Sequence, residues 1–176
     1  VEDVAVLFAD VAGFTHYCES RDPETIHRDL QDLVKELETL TAAHGMEKIK
    51  TIGDAYLAAA GLLKITSNPL LDCVRCALAM VKTAEKLPSA WKIRVGIHFG
   101  PVVAGIVGRQ KYQYDIWGDT VNAAARLQGE SGPGSLCVTA RTWKHLEDHC
   151  EGHSLGVRAI KGKGEIELYE VSGIRE

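Results

Sequence analysis

The order in which strand-like and helix-like apolar patterns alternate is the feature that most constrains the fold. Short apolar runs, typical of buried strands, alternate with longer stretches in which apolar residues recur at helical spacing. Asp22-Pro23 and Asn68-Pro69 mark helix starts, and Gly45 and Pro88 mark helix ends. The predicted elements are strand 2–9, helix 22–45, strands 46–51 and 55–60, helix 68–88 and strand 91–99. This order predicts an α+β fold with a ferredoxin-like βαββαβ core, its sheet covered by helices on one face.

Further strands and helices follow this core in the second half of the chain. Gly100-Pro101 predicts a turn, after which the next strand pairs with strand 91–99 as a hairpin. The remaining predicted elements are strand 102–107, a segment 111–117 that leads into helix 119–128, strand 136–139, helix 141–146 and a hairpin over 154–171. No repeat or linker interrupts residues 1–176, so we expect a single domain. Because the chain lacks an initiator Met and opens at the first predicted strand, we expect the domain to be cut from a longer protein.

Composition excludes several classes of protein. The 176 residues are 45% hydrophobic and carry a formal net charge of −4, so the chain has a core but no basic footprint for nucleic acid. No apolar run approaches the ~20 residues that a membrane span requires, and no export signal is visible. The five cysteines are odd in number and irregularly spaced, which argues against a disulfide framework. Reduced thiols predict a cytoplasmic domain. We interpret the segment Cys73-Val74-Arg75-Cys76 as part of one apolar helix face.

Two acidic residues, Asp10 and Asp54, stand where predicted strands end. Asp10 follows the first strand, and Asp54 lies in a Gly53-Asp54 break that suits a tight hairpin. Two carboxylates at neighbouring strand ends can hold divalent cations against a phosphate chain. Asn122 and Arg126 are four positions apart in a predicted helix, so they share one face. These features together predict a protein that acts on a nucleotide.

Five segments of the chain together resemble a known family. They are Asp10 with Phe14-Thr15, residues 47–56, residues 96–102, residues 114–126 and Lys161-Gly162-Lys163-Gly164. In this order and spacing they resemble the class III nucleotidyl cyclases, the catalytic domains of adenylate and guanylate cyclases. The resemblance covers essentially the whole chain. It implies the class III cyclase fold and a phosphorus-oxygen lyase that makes a cyclic nucleotide for signalling inside the cell.

The resemblance also assigns roles to individual residues. Asp10 and Asp54, with the Val11 carbonyl, match the ligands of two Mg²⁺ or Mn²⁺ ions, and the backbone of Phe14 and Thr15 completes a phosphate cradle. Three further residues match groups that act on the ribose and the phosphates: Asn122 orients the ribose, Arg126 stabilises the pentavalent α-phosphate, and Lys161 binds the β- and γ-phosphates. Lys163 is the weaker candidate for the lysine. His98 receives no role.

Lys50 and Asp115 match the positions that read the purine. A lysine donor and an aspartate acceptor complement adenine, which presents an acceptor at N1 and a donor at its 6-amino group. Guanylate cyclases carry Glu and usually Cys at these positions, so the chain is identified as adenylate-specific. Lys48, two residues away on the same predicted strand face, is the alternative to Lys50. The implied reaction converts ATP to 3′,5′-cyclic AMP and pyrophosphate.

The resemblance implies a head-to-tail homodimer with shared sites. One copy supplies the metal-binding aspartates, and the second copy supplies the purine readers, Asn122, Arg126 and Lys161. Because this chain carries both sets, it is expected to work as a homodimer with two equivalent sites. Regulatory domains are expected elsewhere in the parent chain, whose membrane anchoring stays open. Two alternatives also stay open: a guanylate cyclase, and a non-catalytic cyclase-like module that binds nucleotide or dimerises.

Overall fold

The computed structural model describes residues 1–176 as nine strands and five helices. The strands are β1 (Val4–Val11), β2 (Glu47–Ile52), β3 (Ala55–Ala60), β4 (Ile93–Gly100), β5 (Val103–Val107), β6 (Gln113–Trp117), β7 (Ser135–Thr139), β8 (Cys150–Ile160) and β9 (Gly164–Ile174). The helices are α1 (Phe14–Glu19), α2 (Pro23–Ala43), α3 (Pro69–Lys86), α4 (Asp119–Glu130) and α5 (Ala140–Trp143).

Seven strands form one sheet in the order β2-β3-β1-β4-β7-β9-β8. Neighbouring strands are antiparallel except for β4 and β7, which run parallel. The four strands of the predicted core occupy the order β2-β3-β1-β4, with α2 and α3 as the two connecting helices. This is the ferredoxin-like arrangement, so the predicted fold class is confirmed. The N-caps are also confirmed: Asp22 accepts from the Thr25 amide and Asn68 from the Leu71 amide.

Helices cover both faces of the sheet, so the prediction of helices on one face is wrong. Successive residues of β1 enter different cores: Ala5 and Leu7 pack in the cluster that contains residues of α2 and α3, while Val4 and Val6 pack with residues of α4. A strand that is apolar on both sides needs cover on both sides. Gly96 in β4 permits the second layer, because a Cβ there would collide with the backbone of α4.

One other local prediction is wrong, and two elements were not predicted. β5 pairs with β6 in a separate two-stranded sheet, so the strand after Gly100-Pro101 is not a hairpin partner of β4. The segment before α4 is itself the strand β6, because its residues pair with β5 from Val103 opposite Trp117 to Val107 opposite Gln113. Helix α1 was not predicted, since six residues are too few to show a helical period.

The cysteines lie mainly in the core. Cys73 and Cys76 are fully buried on the inner face of α3, and no cysteine forms a disulfide. Burial raises the pKa of Cys76 to about 12, so it is an unreactive thiol. The apolar interpretation of the Cys-x-x-Cys segment is therefore correct. None of the helices, α3 included, combines the length and the apolar character that a membrane crossing requires.

Candidate active site

Asp10 and Asp54 converge at one end of the sheet. The Val11 amide donates a hydrogen bond of 3.1 Å to Asp54 Oδ2, which ties the β2–β3 turn to the end of β1. Gly53 has a φ of +59° in that turn, a conformation that glycine adopts without strain. Both carboxylates are only half-buried. The structure thus brings together the two acids that the sequence singled out.

Arg94 is a functional candidate that sequence reasoning missed. It lies directly opposite Asp10 in the β1–β4 ladder, and its Nε and Nη2 atoms donate to Asp10 Oδ1 and Oδ2 at 2.9 and 2.7 Å. This two-bond geometry is the strong form of a guanidinium–carboxylate contact, and it raises the pKa of Arg94. The sequence signal was only a polar position in an alternating strand; the strand register was needed to place it beside Asp10.

The chemistry of this group fits a divalent cation. Two carboxylates and backbone carbonyls are hard oxygen ligands of the kind that Mg²⁺ and Mn²⁺ prefer. No group of three or more His, Cys, Asp or Glu side chains gathers anywhere in the chain. Mg²⁺ usually takes one or two carboxylates and completes its shell with water and substrate phosphates, so Asp10 and Asp54 suffice in number. Arg94 donates one hydrogen bond to each Asp10 oxygen, so each oxygen keeps a further lone pair for a bound ion.

Helix α1, which carries Phe14 and Thr15, is held against the body of the domain by aromatic contacts. The rings of Phe14 and Tyr17 meet Trp91 edge-on at centroid distances of 5.9 and 5.0 Å. The Tyr17 hydroxyl also donates to the buried Asp29 of α2. Edge-to-face pairs of this kind add to the stability that burial supplies. The start of α1 is therefore fixed immediately after the Asp10 strand end.

Lys50 and Asp115 contact each other, although they lie 65 positions apart and in different sheets. Lys50 Nζ donates to Asp115 Oδ2 at 2.8 Å, and the Ile116 amide donates to Asp115 Oδ1 at 2.8 Å. Asp115 is only 8% exposed. Lys48 instead pairs with Glu38 of α2 at 3.3 Å. A β-bulge between Lys48 and Lys50 turns their side chains to different sides of the strand. The expectation that they share a strand face is therefore wrong.

Asn122 and Arg126 lie together on the outward side of α4, because their neighbours Ala123 and Leu127 are buried. The Arg126 guanidinium lies against the β8–β9 turn: a Cβ at Gly162 would stand 2.8 Å from Arg126 Nη1. α4 and the terminal hairpin therefore form one group.

The two candidate lysines of the terminal turn differ in their contacts. Lys163 forms an ion pair with Asp119 in the first turn of α4. Lys161 is exposed and makes no hydrogen bond or ion pair. The geometry therefore separates a lysine that ties the hairpin to α4 from one that is available to a ligand.

Apart from the Lys50–Asp115 pair, the predicted site residues form two groups within one chain. Asp10 and Asp54, joined in the structure by Arg94, make one group, and α4 with the terminal turn makes the other. No hydrogen bond or ion pair joins them. The structure therefore contains both sets of residues without uniting them.

Comparison with known proteins agrees with this fold. The chain belongs to the family described as the adenylate and guanylate cyclase catalytic domain, the class III cyclases, which matches residues 1–173. It is 34% identical over 176 residues to an adenylate cyclase of Mycobacterium bovis, covering 98% of this chain and 40% of that protein. It is 33% identical over 186 residues to human guanylyl cyclase C, covering 99% of this chain and 17% of that protein. The chain thus spans less than half the length of these relatives.

A solved structure shows the same fold. The guanylate cyclase domain of RhGC from Catenaria anguillulae, determined in complex with GTP, superposes with a TM-score of 0.94 at 28% identity. The match covers 99% of this chain and 98% of that one. The class III cyclase fold and family are therefore established, while relatives of both substrate types occur.

Proposed function

We propose that this chain is the catalytic domain of an adenylate cyclase, which converts ATP to 3′,5′-cyclic AMP and pyrophosphate. The observation that carries the choice of ATP is the contact between Lys50 and Asp115. It puts one cationic donor and one carboxylate acceptor side by side, and adenine presents the complementary acceptor and donor on neighbouring atoms of its edge. Guanine presents the reverse order. An unsuited base would leave these polar groups unpaired at a cost of about 1–3 kcal/mol each.

Asp10, Asp54 and the Val11 carbonyl are the residues that would hold two Mg²⁺ or Mn²⁺ ions. Such ions would lower the pKa of the attacking ribose 3′-hydroxyl and would neutralise the departing phosphates. The backbone of Phe14 and Thr15 lies next to this group and is available to phosphate oxygens. Arg94 adds a fixed positive charge at the same place, so we also assign it to the triphosphate.

On the other side of the nucleotide, α4 and the terminal turn supply the groups that act on the ribose and phosphates. Asn122 offers an amide that can donate to or accept from the ribose. Arg126 directs its guanidinium at the charge that develops on the α-phosphate, which favours the transition state over the ground state. Lys161, which is exposed and unpaired, binds the β- and γ-phosphates.

A head-to-tail homodimer brings these two groups together. Its support is the absence of a direct contact between them in one chain. The β5–β6 hairpin adds support, because Val103, Ile106 and Trp117 are exposed there at 64%, 69% and 39%. Exposed apolar side chains clustered on one element are typical of interfaces. In such a dimer each site takes its aspartates from one copy and its Lys50, Asp115, Asn122, Arg126 and Lys161 from the other. Regulatory domains would lie elsewhere in a longer parent protein.

The direct test is product analysis with ATP and with GTP, each with Mg²⁺ and with Mn²⁺, over a range of protein concentrations. We expect cyclic AMP as the main product and a specific activity that rises with protein concentration. A larger kcat/KM for GTP would favour the second candidate, a guanylate cyclase, to which the similarity with guanylyl cyclase C points. No cyclic product under any condition would favour a non-catalytic module.

A further inference from the structure

A cleft behind α4 is not used by the proposed reaction. Its volume is about 280 Å³. α4, α5 and the terminal hairpin supply its apolar walls, which are Ala123, Leu127, Ala140, Ile160 and Ile166. A second cavity, of about 670 Å³, adjoins it at the N-terminal end of α4. Both cavities are bordered by His98, Arg141 and Lys163. The apolar cleft therefore opens at a polar mouth.

His98 stands at this mouth with no hydrogen-bond partner. The residue is 8% exposed, and its Nδ1 atom is fully buried and unpaired. Burial, with a smaller contribution from Lys163, lowers the pKa of His98 from 6.5 to about 4, so the ring is neutral at neutral pH. A buried polar group without a partner costs free energy and requires an explanation. Because Nδ1 has no accessible surface, a ligand at the mouth would not pair with it directly but would meet the part of the His98 ring that lines both cavities.

The charges around the mouth do not all remain available. Lys163 is neutralised by Asp119, and Glu167 is engaged by the Ser154 hydroxyl at 2.7 Å. Arg141 is exposed and makes no hydrogen bond or ion pair. Among the residues that border both cavities, Arg141 is therefore the one free cation, while the exposed acid Glu2 borders the second cavity only.

The start of α4 adds a second favourable feature for an anion. The N-cap residue is Gly118, and no side chain caps the helix. Free amides at a helix start attract an anion. With the free Arg141 and the unpartnered His98, the uncapped helix completes a mouth that is suited to a single negative charge.

We propose that this cleft is a binding site for a small organic monoanion with an apolar body. The anionic head lies between Arg141, His98 and the first turn of α4, and the body lies against the apolar walls. A multiply charged anion such as phosphate fits less well, because Asp119 and Glu167 also border the cavities and would repel a second charge. Mostly apolar walls with few placed polar groups are typical of small-molecule sites. The proposal is independent of the reaction assigned to the domain.

The test uses 4-phenylbutyrate as the probe and the whole chain, labelled in its histidine rings for NMR. We expect the probe to shift the His98 resonance saturably, with a Kd below about 1 mM. The neutral analogue 4-phenylbutan-1-ol and inorganic phosphate should each bind at least about tenfold more weakly. Arg141→Ala should weaken binding of the probe about tenfold, whereas Lys144→Ala, an exposed basic residue at the end of α5, should not.

A second pair of variants tests the apolar end of the cleft. Ile166→Trp should fill the cleft and abolish probe binding, while Val157→Trp, on the exposed side of the same hairpin, should leave it unchanged. The proposal is overturned if the probe fails to saturate by about 10 mM, if the alcohol or phosphate binds as well, or if Arg141→Ala binds normally. Displacement of the probe by ATP would also overturn it, since the probe would then occupy the nucleotide site.

Discussion

The two groups of site residues differ in how far one chain completes them. At the β1 end, Asp10 is satisfied by two hydrogen bonds from Arg94, and Asp54 by the Val11 amide. On α4 and the terminal turn, Asn122 and Lys161 make no hydrogen bond or ion pair. The carboxylate group is thus ordered by its own chain, whereas the α4 group presents open donors. Open donors on a rigid helix are suited to a ligand or a partner that arrives later.

The largest loss of activity is expected from a substitution in the carboxylate group. Asp54→Asn keeps an oxygen that can accept from the Val11 amide but removes the negative charge that a metal ion needs. Turnover should fall at least about a thousandfold with either Mg²⁺ or Mn²⁺, with an unchanged circular dichroism spectrum. Asp32→Ala, on the exposed side of α2, is the control. Substantial activity in Asp54→Asn would contradict the metal assignment.

A smaller but still large loss of activity is expected from a substitution in the α4 group. Arg126→Ala removes the charge that the proposed mechanism directs at the transition state, so kcat should fall about 10²–10³-fold. The free energy of unfolding should change little, because Arg126 makes no hydrogen bond or ion pair in one chain. Glu130→Gln at the other end of α4 is the control. If kcat fell less than about tenfold, Arg126 would not act on the developing charge.

Acid should destabilise the α4 side through His98. Its pKa is about 4 in the folded protein and 6.5 when exposed, so the unfolded chain binds the proton more tightly. The free energy of unfolding should therefore fall as pH drops from about 6.5 to about 4, by up to about 3 kcal/mol from this group. His98→Phe should flatten this dependence in urea titrations, and the exposed control His27→Phe should not. Identical pH profiles for wild type and His98→Phe would refute the assignment.

The smallest effect concerns base choice. Lys50→Glu combined with Asp115→Cys inverts the donor and acceptor order while removing both members of the ion pair. The ratio of kcat/KM for ATP to that for GTP should fall about 10- to 100-fold. Lys48→Glu, which alters the neighbouring lysine on the other side of the β-bulge, should leave the ratio unchanged. A constant ratio in the double variant would show that Lys50 and Asp115 do not read the base.

Local sequence signals predicted the βαββαβ order because each core element has a strong period and a marked start. They did not predict that α4 covers the second face, since that depends on the close approach that Gly96 allows. The pairing of Asp10 with Arg94 required the β1–β4 register, and the separation of Lys48 from Lys50 required the β-bulge. Residue types such as Asp10 and Asp54 could be singled out from sequence; their non-local neighbours could not.

The central claim is that each site is shared between two copies, and mixing two inactive variants tests it directly. Asp54→Asn damages the carboxylate group, and Asn122→Ala with Arg126→Ala damages the α4 group. Each homodimer carries a lesion in both sites, so each variant alone should be nearly inactive. In a mixture, a heterodimer has one site with both lesions and one site with none, so activity should return and rise with protein concentration. Persistent inactivity, with heterodimers shown to form, would contradict the shared site.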